Sequence, residues 1–178
     1  MYSEFVRVPR DRIAVLIGKN GSAKRKIEQK TKSRISIESE NGEVEISSKE
    51  ALLGLKASSI IKAIARGFSP ERAMQLIKED YILDVIDISE FVGKSEKAIS
   101  QRKSRIIGAQ GTAREAIEEL TGTEISAYGK TVSIIGSAED AEIAHEAIEM
   151  LIKGAEHKTV YDFLERRTRF ETNGKFEL

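Results

Sequence analysis

The chain contains part of itself twice: residues 17–36 align with residues 107–126 at a constant offset of 90, with nine identities in twenty positions. The identities are Ile17/Ile107, Gly18/Gly108, Gly21/Gly111, Ala23/Ala113, Ile27/Ile117, Glu28/Glu118, Thr31/Thr121, Ile35/Ile125 and Ser36/Ser126. Ser22/Thr112, Lys24/Arg114 and Ser33/Thr123 are conservative exchanges in the same stretch. A repeat decides architecture before any single residue does, because each copy must fold as one supersecondary unit. A length of 178 residues accommodates two compact modules near the small end of the domain range.

Each copy reads out by periodicity. In the first, Phe5 to Val8 alternates as a short strand, and Pro9 leads into a helix carrying Ile13, Leu16 and Ile17. The turn Gly18-Lys19-Asn20-Gly21 follows, then a helix from Ser22, a good cap residue, through Ala23, Ile27 and Thr31. Arg34 to Glu38 alternates as a strand, Asn41-Gly42 signals a hairpin, and Glu43 to Ile46 returns. Apolar positions from Ala51 to Ile64 define a closing helix that stops at Gly67. The second copy repeats the order. Its strand is Tyr81 to Ile88 and its helices are Ser95 to Ile107 and Thr112 to Leu120. The hairpin strands Glu124 to Ala127 and Thr131 to Ile135 flank Gly129, and Ala138 to Ile152 closes the copy. Ten residues separate Val8 from Gly18 but twenty separate Ile88 from Gly108, so the second copy gains a connection, Ser89 to Lys94, and a longer first helix. The expected domains are 1–67 and 81–154. They are joined by a linker, 68–80, with a helix from Pro70 to Lys78, and followed by a tail, 155–178, with a helix from Thr159 to Arg167 and a frayed end.

Two glycines let a backbone turn tightly and approach another molecule, while the next helix aims its unpaired N–H groups and positive dipole end at the turn, a ready place for phosphate. The charge distribution fits a polyanion. The formal net charge is zero, from 29 basic and 29 acidic residues, but residues 1–36 hold ten Lys and Arg against three acids. Residues 101–114 add Arg102, Lys103, Arg105 and Arg114 with no acid. The compensating acids lie in 37–100 and 115–149, a segregation that gives an anion-facing surface on an acidic body. A solvated mixed surface is the plainer alternative.

Two Gly-x-x-Gly turns, each between short helices and each followed by Ile27 and Ile35 or Ile117 and Ile125, resemble the type I KH domain of RNA-binding proteins, present twice over about residues 4–154. The resemblance implies an α+β fold of two modules, each an antiparallel three-stranded sheet packed on three helices, and a narrow groove for about four unpaired nucleotides. In copy one the expected RNA-binding residues are Gly18, Lys19, Asn20, Gly21, Lys24, Arg25, Ile27 and Ile35. In copy two they are Arg102, Arg105, Gly108, Ala109, Gln110, Gly111, Arg114, Ile117 and Ile125. Core packing is the alternative role for the isoleucines. Copy two departs from the usual KH pattern in having no base inside its turn, Ala109-Gln110. A narrow groove favours pyrimidines and adenine, and an aromatic content of 6% without Trp argues against a stacking platform.

The module order and the segments Leu120 to Ser126 and Gly129 to Gly136 resemble, more narrowly, the archaeal counterparts of the small-subunit assembly factors called Partner of Nob (Pno/Dim type). That resemblance implies single-stranded RNA binding in small ribosomal subunit biogenesis, near the 3′ end of the rRNA during its maturation. The implied partners are this rRNA, the maturation endonuclease and the alpha subunit of translation initiation factor two. In eukaryotic relatives the first glycine turn tends to be lost, whereas Gly18 and Gly21 stand here, which fits an archaeal source. The alternatives are a protein-interaction adaptor whose acidic stretches, Glu38 to Glu45 and Glu115 to Glu124, recruit a basic translation or ribosomal factor, and a general RNA-turnover KH protein.

Other chemistry is poorly served. There is no Cys, so thiolate metal sites, disulfides and cysteine nucleophiles are excluded. Gly93-Lys94-Ser95 lacks the P-loop glycine five residues earlier, where Ile88 stands. His145 and His157 are isolated in sequence, and Asp84 and Asp87, three apart on a strand, face opposite ways. The expectation is a binding protein without enzyme activity, metal or cofactor. With no long apolar run and no signal-peptide core after Met1, the expected place is the cytoplasm, away from any membrane.

Overall fold

A computed structural model describes residues 1–174, with side chains through Arg169. Residues 175–178, the end of the tail read from sequence as frayed, lie outside the described residues. The chain divides into two compact units, Met1–Leu83 and Asp84 onward.

The first unit runs β1 (Tyr2–Arg7), α1 (Arg10–Ile17), α2 (Ser22–Thr31), β2 (Ser33–Glu38), β3 (Glu43–Ser48), α3 (Ala51–Ala65) and the short α4 (Pro70–Ala73). β3 is central, antiparallel to both neighbours, in the order β1-β3-β2. Period two along the strands turns Val6, Val44, Ile46 and Ile35 inward, all buried, and leaves Phe5, Glu45 and Ser36 on the open face. Helices supply the rest of this core: Ile13 and Leu16 from α1, Ile27 from α2, and Ile60, Ile61 and Ile64 from α3. Pro9 flanks α1 in an extended conformation (ψ 144°), so its fixed φ starts the helix and its missing N–H costs nothing there. Asn41-Gly42 closes a four-residue connection from Glu38 to Glu43, and at φ 74° Gly42 brings its carbonyl to the Val8 N–H at 2.8 Å. A Cβ at Gly42 would run into the Val8 carbonyl, so glycine is needed there.

The rest of the chain runs β4 (Tyr81–Asp87), which spans the boundary at Asp84, then in the second unit α5 (Ser89–Val92), α6 (Glu96–Ile107), α7 (Thr112–Thr121), β5 (Glu124–Tyr128), β6 (Thr131–Ser137), α8 (Ala138–Ile152) and α9 (His157–Gly174). Its sheet repeats the topology as β4-β6-β5, and Gly129 at φ 55° opens a two-residue turn between Tyr128 and Thr131. The α+β fold of two three-stranded KH-type modules read from sequence is therefore the observed one.

The structure also explains why the repeat identities outside the turn are retained. The Thr31 hydroxyl donates to the Ile27 carbonyl (2.7 Å) and meets Ser33 Oγ (2.6 Å), and Thr121 does the same with Ile117 (2.6 Å) and Thr123 (2.8 Å). Both threonines are buried, so each hydroxyl must be satisfied inside the fold. Glu28 Oε1 accepts from the Ile35 N–H and Glu118 Oε1 from the Ile125 N–H, both at 2.8 Å. Each carboxylate thus satisfies an outward amide of an edge strand.

Several boundaries differ from the sequence reading, each for a local reason. Ser22 is not the cap of its helix: Gly21 occupies that position in the left-handed region and no side chain caps the helix. The linker helix from Pro70 ends at Ala73 and tightens into a 3-10 turn, Met74–Ile77, with Phe68, Ala73 and Leu76 buried. The connection from Ser89 contains a helical turn, α5, started when Asp87 Oδ1 accepts from the Ser89 N–H and hydroxyl. The tail forms one continuous helix, His157–Gly174, longer than Thr159–Arg167, whose Val160 and Leu164 enter the core beside α7 and α8. No helix among the described residues is long and apolar enough to cross a membrane.

Candidate nucleic-acid interface

Both glycine turns adopt the same backbone. Gly18 sits at φ 72°, ψ 176°, Asn20 at φ 54°, ψ 31° and Gly21 at φ 75°, ψ 13°. Gly108, Gln110 and Gly111 follow at φ 75°, ψ 176°; φ 56°, ψ 26°; and φ 80°, ψ 9°. The first glycine also lies against the next helix: a Cβ at Gly18 would stand 2.7 Å from Ala23 Cβ, and one at Gly108 2.7 Å from Ala113 Cβ. This contact explains the Ala23/Ala113 identity, since a larger side chain there would push the helix off the turn. The second glycine is open to approach from outside. Asn20 and Gln110 hold left-handed conformations that cost a non-glycine residue of order 1 kcal/mol, and stored strain of this kind clusters at ligand clamps.

Beside each turn runs a groove. In the first module a hollow of about 590 Å³ lies between Arg10, Ile13, Ala14 and Ile17 of α1 and Ser39 and Glu40 of the β2–β3 connection. Arg10 Nη2 donates to the Glu40 carbonyl at 2.7 Å and ties the two walls together. The second module repeats it as a hollow of about 430 Å³, lined by Lys94, Ile99, Ser100 and Lys103 on the α6 side and Gly129 and Lys130 of the β5–β6 turn. Ser100 and Lys103 occupy the repeat positions of Arg10 and Ile13. Lys130 Nζ lies 3.5 Å from Asp87 Oδ2, and hydrogen bonding from Ser89 holds the Asp87 carboxyl below its ordinary pKa, which favours the carboxylate beside the rim.

The residues expected from sequence divide into three groups. Lys19, Asn20, Ala109 and Gln110 are exposed at the tips of the turns, and Arg25 is exposed with its guanidinium 3.3 Å from the Cβ position of Gly21. Lys24 and Arg114 reach Glu28 and Glu118 across one helical turn, at 3.8 and 3.9 Å, half-exposed beside the turns. Arg102 is half-buried on α6 and is not part of the groove lining. Ile27, Ile35, Ile117 and Ile125 are at most 2% exposed, so they belong to the core and offer no surface to a nucleotide. Their inward direction follows from packing between helix and sheet, and it decides between the two roles left open by the sequence.

Arg105 belongs elsewhere, which corrects its assignment as an RNA-facing base. Its Nη1 and Nη2 donate to the carbonyls of Leu151 and Ala155, each at 2.6 Å, capping the end of α8. His157 Nε2 lies 2.8 Å from the Arg105 carbonyl, and because a carbonyl only accepts, that nitrogen carries the hydrogen. Arg12 plays the same part in the first module, donating to the carbonyls of Ile64 (2.8 Å) and Phe68 (2.7 Å). A cation at a helix C-terminus satisfies orphan carbonyls and opposes the dipole.

Sequence reading missed Arg10, Ile13, Ala14, Lys94, Lys103 and Lys130 as groove residues. Part of the signal was present: Ile13 and Ile17 are spaced i, i+4 on the helix entering the turn, as are Ile99 and Lys103 in the second copy. The two sites differ electrically. Turn one carries Lys19, Lys24, Arg25 and Lys26 beside a connection with Glu40, while turn two has a neutral tip and Glu115 within 3.9 Å of the Gly111 Cβ position beside a groove rich in lysine. His145 Nδ1 donates to Asp84 Oδ2 at 2.6 Å and so ties α8 to β4, away from Asp87 and its partners. Among the described residues no group of three or more His, Asp or Glu is placed to hold a metal ion.

Comparison with known proteins agrees with this geometry. Residues 3–66 match the KH domain family, and residues 82–169 match the eukaryotic type KH-domain (KH-domain type I). A KH domain-containing protein of Methanocaldococcus jannaschii is 42% identical over 179 residues, covering 98% of this chain and 78% of that protein. Dim2p from Pyrococcus horikoshii superposes with a TM-score of 0.88 at 48% identity, covering 93% of this chain and 99% of that one. The same organism's aDim2p, solved in a complex with a/eIF2alpha and rRNA, gives 0.89 at 48% identity over 94% of both chains. A protein of unknown function from Aeropyrum pernix gives 0.93 at 38% identity, over 98% of this chain and 94% of its own. The chain belongs to the tandem KH-domain family that includes archaeal Dim2p.

Proposed function

We propose that this protein binds single-stranded RNA through its two glycine turns and adjoining grooves, and acts in small ribosomal subunit biogenesis by engaging the 3′ region of the small-subunit rRNA during maturation. The observation that carries the reading is the turn built twice with matching dihedral angles, each beside a groove of a few hundred cubic ångströms. A groove of this kind accepts about four unpaired nucleotides, and the exposed turn lets phosphates approach backbone N–H groups. The rRNA in the complex of the Pyrococcus protein supports rRNA as the ligand class, and the a/eIF2alpha in that complex supports the alpha subunit of translation initiation factor two as a partner. The 3′ end as the target and the maturation endonuclease as a partner rest on the family resemblance alone, and cytoplasmic location rests on the sequence reading. Binding in place of catalysis fits a site made of backbone, lysines and aliphatic walls.

Two modules on one chain make the second engagement intramolecular and raise its effective concentration, which favours one extended target over scattered short ones. The test is competition: an oligonucleotide of the mature 3′ end should displace labelled RNA far better than scrambled strands of equal composition. Equal displacement would leave a general single-strand binder. Replacing Lys19 and Asn20 by Asp, or Ala109 and Gln110 by Asp, puts carboxylates where phosphates approach, on exposed positions that tolerate change. Wild-type affinity in both double variants and in their combination would remove the turns as the site.

A further inference from the structure

The outward side of α2 reverses its charge between the two copies. Arg25, Lys26, Lys30, Lys32 and Arg34 are all exposed, and at the offset of 90 the second module has Glu115, Ala116, Leu120, Gly122 and Glu124. The buried and turn positions between them are retained in both copies, so the fold does not require this charge. For α2 itself the charge is unfavourable. Its first turn carries bases and no acid at the positive end of the helix dipole, whereas α7 has Glu115 there. Lys26 and Lys30 are like charges at i, i+4, a further penalty of about 0.2–0.5 kcal/mol. The bases do not end with the helix. Lys32 and Arg34 line a hollow of about 480 Å³ with Lys49, Ser33, Ser47 and Ser48, where Lys32 Nζ stands 3.7 Å from Glu50 in a largely exposed and therefore weak pair.

We propose that this strip is a second RNA contact of the first module, which carries the phosphodiester backbone from the Gly18–Gly21 turn along α2 to the hollow at Lys32, Arg34 and Lys49. A polyanion fits because it neutralises the repulsion that the helix otherwise bears, and the strip begins at the turn where a phosphate is already expected. Ten residues of α2 add about 15 Å to the track beyond the groove. The second module, with two acids and no base at the same five positions, offers no such path, so the extension has a direction. The inference rests on the RNA-binding reading above.

The test uses the full chain carrying Lys30→Glu, Arg34→Glu and Lys49→Glu, three exposed positions away from the turn, and two unstructured RNAs sharing one core. Affinity for the short RNA, about six nucleotides, should stay within about twofold, while that for the long one, about twenty, should fall about tenfold or more near 0.1 M salt. For the long RNA the slope of log affinity against log salt should flatten by about 2, as expected for three lost phosphate contacts at about 0.7 each. The milder triple change to Gln should move the long RNA in the same direction by less. An unchanged slope and affinity with the long RNA would overturn the proposal and leave the strip to an acidic protein surface. Equal loss with both RNAs would also overturn it, since a general field and not a track would then be acting. Failure of the wild-type chain to bind either RNA would instead sink the RNA-binding reading on which the proposal stands.

Discussion

Replacing Gly108 by Ala and, separately, Gly111 by Ala separates two reasons for a glycine in one turn. At φ 75°, ψ 176° Gly108 occupies a region essentially reserved for glycine, where another residue costs of order 1–3 kcal/mol. The added Cβ would also stand 2.7 Å from Ala113 Cβ and 2.8 Å from Ala113 N, atoms fixed to the helix that no side-chain rotation can move. Displacing α7 to relieve that overlap adds about 1–3 kcal/mol, for a total near 4 kcal/mol. Gly111, at φ 80°, ψ 9°, lies in the ordinary left-handed region, and its Cβ would meet only the ends of Arg114 and Glu115 at 3.8 and 3.9 Å. Its replacement should cost about 1 kcal/mol. For a unit of this size each kcal/mol is worth about 4–8 °C in melting temperature, so the two variants should differ by at least about 10 °C in thermal unfolding followed by circular dichroism. Gly18→Ala and Gly21→Ala should repeat the contrast in the first module, where Ala23 stands in the place of Ala113. Equal melting temperatures for Gly108→Ala and Gly111→Ala would refute the packing argument for the first glycine.

Arg105→Met should destabilise the second unit by about 1.5–3 kcal/mol in urea unfolding, because the Leu151 and Ala155 carbonyls lose a charged donor, while RNA affinity stays within about twofold; a large affinity loss at unchanged stability would return Arg105 to the RNA surface. Lys32→Gly should stabilise the first unit by about 1 kcal/mol in the same assay, since Lys32 holds φ 47° at the end of α2 where the second copy has Gly122 at φ 69°. Glu4 gives a pH dependence. Burial works against its ionisation, but hydrogen bonds from Lys62 (2.7 Å) and Tyr2 prevail and hold its pKa at about 2, below the ordinary 4.5. A depressed carboxylate stabilises the fold fully above pH 4.5 and loses that contribution as pH falls toward 2, so Glu4→Gln should flatten the stability profile in that window. A profile as steep as that of the wild type would exclude Glu4 as its source.

The repeat, the strand and helix order and the two glycine turns were legible from residue order alone, because each rests on a local cause. Period two and period 3.6 sort side chains to one face, and Gly18, Gly21, Gly108 and Gly111 mark backbone angles that other residues resist. The direction of a side chain between neighbours distant in sequence is not local. Arg105 reads as one base in a basic run, yet Ala155, 50 residues on, draws its guanidinium to the end of α8. Ile27, Ile35, Ile117 and Ile125 have the right type for a groove wall, and only packing between sheet and helix turned them inward. The groove walls themselves join α1 to the β2–β3 connection and α6 to the β5–β6 turn, so Lys103 and Lys130 meet only once the sheet has set the hairpin beside the helix. The sequence by itself determined what the turns are, and tertiary structure decided which cations stand beside them, because a turn is settled by its own dihedral angles and a charged surface by contacts across the fold.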